Sequence, residues 1–261
     1  MSLIRSEMID EGIALITLNN PPLNLVTVEL TALLNDQLDK LASDASVRVL
    51  ILTGIGGRAF CAGSDIREFS QFSGPDGQVL EGKLIAENDA YSKVDKFPKP
   101  TIAALNGSAL GGGLELAVCC DLLVVAEDAQ LSLPEVNLGV FPGSGGTVRV
   151  TRRVGEGRAK EMMLLGQPID AHTALGWGLI NRVVAKGQAL EGARELAERL
   201  AGLPNRALQL CKQAIDLSFD TDETDAVKQT LALSDEVFQT QDVAEGIRAF
   251  FAKEKPKFRH Q

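Results

Sequence analysis

The stretch Thr101–Ala126, TIAALNGSALGGGLELAVCCDLLVVA, decides the fold. Thr101 to Leu105 has the length and composition of a short buried strand. Three glycines, Gly111 to Gly113, open a run that reads as a helix to Cys120. Leu122 to Ala126 then reads as another strand. A strand, a glycine-opened helix and a second apolar strand predict an α/β protein with a largely buried sheet.

The same alternation continues outward. Residues 12–18 form a strand signal closed by Asn19-Asn20-Pro21-Pro22. Residues 27–41 carry apolar side chains at helical spacing, and Val47 to Thr53 is again a strand, stopped by Gly54, Gly56 and Gly57. Asp65 followed by Glu68 predicts a capping box at a short helix. Residues 73–77, Ser-Gly-Pro-Asp-Gly, read as the most mobile loop, and a polar helix is expected over 80–94. Phe97-Pro98-Lys99-Pro100 breaks the chain before Thr101. A further helix starts at Gly145. Beyond about Gln188 the strand signals stop, and four helical segments fill the rest. The expected division is residues 1–188 as a core and 189–261 as a helical region. No internal repeat is visible.

The chain has 261 residues, 45% hydrophobic and 23% charged, with a formal net charge of −9. That balance supports a sizeable core and argues against binding nucleic acid through phosphates, which needs a basic face. The helix over 27–41 sets one lysine against Glu29, Asp36 and Asp39, so it is no RNA-binding surface. Cys61, Cys119, Cys120 and Cys211 show neither metal nor disulfide spacing and read as reduced thiols. The N-terminus has no signal core, and no apolar run approaches the roughly 18 residues of a membrane span. A cytoplasmic protein without a membrane partner is expected.

Glu115 and Glu135 are the candidate catalytic residues. Glu115 stands about one turn inside the glycine-opened helix, and the residues after it, Leu116 to Cys120, are all apolar. A carboxylate in a buried helix needs a partner or a chemical role. Glu135 follows Pro134 in an apolar stretch, where a capping role is the plain alternative. Glycines at a helix start admit a close ligand, and free N–H groups there favour negative charge. Two carboxylates beside such donors suit proton chemistry next to a carbonyl. No Gly-Lys-Ser/Thr follows the glycines, so they are not a P-loop. Tyr91 has no lysine four residues on, which argues against a short-chain dehydrogenase relay. His172 sits in a polar helix start, His260 in the tail, and no G-x-S-x-G motif exists for a serine hydrolase.

Four segments in order carry a resemblance: Ala59–Asp65, AFCAGSD; Asn106–Ala117, NGSALGGGLELA; Leu133–Thr147, LPEVNLGVFPGSGGT; and Glu245–Phe250 with Lys255–Phe258. Along nearly its whole length the chain resembles the crotonase superfamily, the enoyl-CoA hydratases and isomerases. The resemblance implies a spiral of ββα units followed by helices that mediate trimer assembly, and a homotrimer or homohexamer. It implies an acyl-CoA thioester as substrate and no metal or other cofactor, coenzyme A being part of the substrate. The backbone N–H groups of Ser64 and Gly112 are implied as an oxyanion hole. Glu115 is implied to activate water and Glu135 to protonate C2, with the division between them left open. Hydratases of the family use two glutamates, and keeping both favours hydration; isomerisation, with Glu135 alone as the base, or another acyl-CoA reaction is the alternative. Substrate and CoA contacts are implied at Asn24, Leu25, Ala62, Gly63, Asp65, Ile66, Gly111, Pro142, Gly143, Lys255 and Phe258. Ser64 replaces a frequent alanine, and Val148 and Val150 replace more polar residues or leucine. The segment 69–96 is expected to shape the acyl pocket.

Overall fold

The structure, a computed structural model, describes residues 2–72, 74 and 77–260. Most of the loop expected at 73–77 lies outside the described residues. Two sheets share the core. The larger has six strands in the order β1 (Ile4–Asp10), β2 (Ile13–Leu18), β3 (Val49–Gly54), β5 (Thr101–Leu105), β7 (Leu122–Ala126) and β10 (Arg182–Val184). The smaller has four, β4 (Ala59–Cys61), β6 (Ser108–Leu110), β8 (Gln130–Ser132) and β9 (Ile169–Asp170). β2, β3, β5, β7 and β10 run parallel; β1 pairs antiparallel with β2, and β9 with β8.

Three successive turns of the chain, after the β1–β2 hairpin and α1, each lay one strand in the large sheet, one in the small sheet, and then a helix. β3 and β4 lead to α2 (Ile85–Asp95), β5 and β6 to α3 (Gly112–Ala117), and β7 and β8 to α4 (Gly146–Val154). This is the expected ββα spiral. α1 (Val28–Ser43) crosses between β2 and β3, with Thr27 as its N-cap accepting from the Leu30 N–H at 3.1 Å. α5 (Glu156–Leu165) and α6 (Ala171–Trp177) precede β10.

Both faces of the large sheet are covered, which is why its strands read as near-continuous apolar runs. Ala14, Ile16, Leu50, Leu52, Ala103 and Leu105 face the space between the sheets. Ile13, Leu15, Val49, Ile51, Ile102 and Ala104 face α7 (Ala189–Ala201), whose Ala189, Ala193, Leu196 and Ala197 fill the other side. α7 lies beyond residue 188 yet completes this core. α8 (Asn205–Asp220), α9 (Glu223–Phe238) and α10 (Gln241–Ala252) follow and bury few side chains.

Three local differences from the sequence reading have physical reasons. β1 has no strand signal in the sequence, because only Ile4 is buried along it and no apolar alternation results. α3 ends at Ala117, not Cys120, because the Cys119 and Cys120 N–H groups donate to Leu116 and Ala117 carbonyls in a tighter turn that feeds β7. The expected capping box at Asp65 is half formed. Asp65 caps the 3₁₀ turn Ile66–Gln71 by accepting from the Arg67 N–H at 3.0 Å. The Asp65 N–H, however, donates to the Val26 carbonyl, and Glu68 turns to the Val28 N–H and Lys83.

Candidate active site

The glycine run is shaped by close approach. Gly113 packs so tightly on the Cys61 carbonyl that a Cβ would overlap it. Gly111 has φ of +53°, and a Cβ there would meet Glu135 Oε1 at 3.0 Å. The buried Tyr91 hydroxyl donates to the Gly112 carbonyl at 2.9 Å and fixes the start of α3. With the backbone so held, the Gly112 N–H, at the first turn of α3, and the Ser64 N–H, on the turn after β4, flank one opening. Among the described hydrogen bonds neither N–H donates to another protein group.

Glu115 is 3% exposed. Its Oε1 accepts from the Ser144 N–H at 2.9 Å and the Gly146 N–H at 2.8 Å, both at the turn that opens α4. Burial pushes its pKa from 4.5 up to about 7; these two N–H groups oppose the rise, and the negative charges of Glu135 and Glu87 add to it. Glu135 opens the 3₁₀ turn Glu135–Leu138 after Pro134. Both its carboxylate oxygens are buried and, among the described residues, accept from no other residue. Burial first, and the Glu87 charge next among the raising causes, push its pKa up, against a bond to its own backbone N–H. Such an unsatisfied carboxylate is costly unless it has chemistry to do.

These groups line one cavity of about 530 Å³. Of the residues expected at the site, Glu115, Glu135, Ser64, Gly112, Gly111, Ala62, Gly63, Ile66 and Gly143 lie on its wall. The rest lie elsewhere. Asn24 is fully buried; its amide donates to the Ile55 and Ala59 carbonyls and its oxygen accepts from the Asn20 N–H, so it ties loops together. The Leu25 carbonyl accepts from the Asn20 amide. Asp65 pairs with Arg67. Pro142 faces a second cavity between Phe141 and Met163. Lys255 is exposed, and Phe258 lies against Gly246 of α10.

The wall also holds residues the sequence reading did not single out. Phe69, Phe72, Val79, Leu84, Leu138, Val140 and Phe141 make it apolar. Part of that set falls in the segment expected to shape the pocket. Lys83, Glu87 and Ser144 are the unexpected polar members. A signal for two of them was present. The buried face of α2 holds Glu87, Ala90, Tyr91 and Val94, and extending that helical period one turn back reaches Lys83 in the π-helical turn Leu80–Leu84. Charged residues on an apolar stripe are candidates for a buried pair.

A family model described as enoyl-CoA hydratase/isomerase matches residues 8–261. A Bacillus subtilis protein named "Probable enoyl-CoA hydratase" is 38% identical over 255 residues, 96% of each chain. The "Short-chain-enoyl-CoA hydratase" of Clostridium acetobutylicum is 35% identical over 244 residues, 93% of this chain and 92% of that one. A crystal structure of an enoyl-CoA hydratase from Bacillus anthracis superposes with a TM-score of 0.93 at 35% identity, covering 99% of this chain and 100% of the other.

Proposed function

The chain belongs to the enoyl-CoA hydratase/isomerase family, and on that premise we propose that it adds water reversibly to a trans-2-enoyl-CoA, giving the 3-hydroxyacyl-CoA. One observation carries the reading: two carboxylates with raised pKa values share a cavity wall with two backbone N–H groups that donate to no other group among the described residues.

In this mechanism the thioester oxygen accepts from the Ser64 and Gly112 N–H groups. These donors stabilise the enolate-like charge that grows as water attacks. Glu115, fixed through Oε1, presents its other oxygen to water; the water oxygen bonds to C3 as its proton passes to Glu115. Glu135 gives its proton to C2. The pair holds one proton before and after, on opposite carboxylates, so elimination of water runs through the same groups in swapped roles. A base with a pKa of about 7 is half ionised near neutrality, which suits proton transfer in both directions. The apolar wall receives the acyl chain, and the reaction needs no cofactor beyond the CoA of the substrate.

Buried free thiols at Cys61, Cys119 and Cys120 fit a reducing, cytoplasmic compartment. Among the described residues no helix is long and apolar enough to cross a membrane. The exposed apolar side chains of the last three helices support a homotrimer or homohexamer.

The test is the conjugated enoyl-thioester absorbance when crotonyl-CoA meets the protein. It should fall as 3-hydroxybutyryl-CoA forms. Glu115→Gln and Glu135→Gln should each slow this by about 10²–10⁴-fold. Full turnover in the Glu115 variant would instead defeat the two-carboxylate mechanism.

A further inference from the structure

We propose that Glu87 is a positioning residue for this chemistry: through the side chains of Ser64 and Ser144 it braces two of the segments whose backbone N–H groups serve the reaction. The proposal rests on the hydratase reading of the cavity. Glu87, on α2, is 1% exposed and lies on the cavity wall. The Ser144 hydroxyl donates to Glu87 Oε1 at 2.6 Å, and the same residue's N–H holds Glu115 Oε1 at 2.9 Å. The Ser64 hydroxyl lies 3.3 Å from both Glu87 oxygens, and the Ser64 N–H is one of the two donors assigned to the thioester oxygen. Glu87 Oε1 also comes within 3.4 Å of where a Cβ on Gly112, the other donor residue, would stand. One carboxylate therefore meets three of the segments that build the reaction centre.

The chemistry of the side chain fits that place. Two hydroxyls converge on it as donors, and an ionised carboxylate is acceptor-only, so it takes both. Lys83, 2% exposed, pairs with Glu87 Oε2 at 3.3 Å and also donates to Glu68 at 3.2 Å. The buried charge is thus compensated where it enters the wall. The other groups facing Glu87 are Cys61 on β4, Tyr91 on α2, Glu115 on α3 and Glu135. Cys61 and Tyr91 are held neutral by burial. Burial is the main cause of the raised Glu115 and Glu135 pKa values, and the Glu87 charge pushes both in the same direction. Removing that charge makes Glu115 easier to ionise, and the Lys83 charge left behind acts the same way.

The test compares wild type, Glu87→Gln, Ser144→Ala and the double variant. Two readouts are taken: pH profiles of crotonyl-CoA hydration, and the ¹³C titration of the Glu115 carboxyl, assigned with Glu115→Gln. Glu87→Gln should lower kcat by on the order of 100-fold, with KM changed less than about threefold. Its acid limb and the Glu115 titration should both move below about 7. Ser144→Ala should add little in the Glu87→Gln background, because both remove the charge-assisted hydrogen bond between Ser144 and Glu87. A folded Glu87→Gln with its Glu115 titration and acid limb unmoved would overturn the proposal, leaving Glu87 a mere partner for Lys83. If wild type hydrates no enoyl-CoA, the hydratase reading fails; the carboxyl titration still decides, and an unmoved Glu115 overturns the brace.

Discussion

At the scale of single residues, Glu115 trades stability for chemistry. Its carboxyl is buried and its pKa stands at about 7, against 4.5 when free. A raised carboxyl pKa means the fold disfavours the charged form. The stability linked to this group is full below about 4.5 and is lost as pH rises through about 7. Glu115→Gln keeps an oxygen for the Ser144 and Gly146 N–H groups and carries no charge. At pH 8 this variant should be more stable than wild type by up to about 3 kcal/mol, while its turnover collapses. The gain should shrink towards zero near pH 4.5. Urea unfolding at a fixed protein concentration across that range measures it; equal stabilities at pH 8 would mean the carboxylate is better solvated than its burial implies.

At the scale of elements, the α3 and α4 starts are set by what lies against two glycines, and the two should fail differently. A Cβ at Gly113 overlaps the Cys61 backbone carbonyl on β4. Backbone held in a sheet cannot give way, so Gly113→Ala should cost at least about 3 kcal/mol or prevent folding. A Cβ at Gly146 would stand 2.8 Å from Glu115 Cγ and 2.9 Å from its Oε1. That neighbour is a side chain and can shift. Gly146→Ala should therefore fold with a loss of about 1–2 kcal/mol, yet lose at least about tenfold in turnover because Glu115 is displaced. Thermal unfolding beside the crotonyl-CoA assay separates the two, and an active Gly146→Ala would show that the Glu115 rotamer matters little.

At the scale of the whole molecule, the unresolved demand is the apolar surface of the C-terminal helices. Leu231 and Phe238 on α9 and Phe250 and Phe251 on α10 are 67%, 69%, 78% and 79% exposed. Large apolar side chains left this exposed are candidates for an interaction surface. A homo-oligomer would bury them symmetrically. Light scattering should give three or six times the 27.9 kDa chain mass. Replacing both Phe250 and Phe251 by Asp should lower that mass, and a monomeric wild type would refute the assembly.

The sequence by itself determined the strand–helix alternation, the buried sheet and the two glutamates with their glycine-rich neighbours. These are local properties. The apolar run Val49 to Leu52, bounded by Gly54, reads as a buried strand, and Gly111 to Gly113 announce a close approach without saying to what. The short strands β4, β6, β8 and β9 were not legible, because two or three residues carry no period and gain strand character only from their partners in the second sheet. Only the tertiary structure decided that Glu115 and Glu135 share a wall, that Asn24 lies outside it, and that Lys83, Glu87 and Ser144 belong to it. The reason is chain distance. Ser144 N–H reaches Glu115 across 29 positions and Ser144 Oγ reaches Glu87 across 57. Those contacts exist because successive turns of the spiral stack, and stacking is a property of the packed sheets rather than of any one segment.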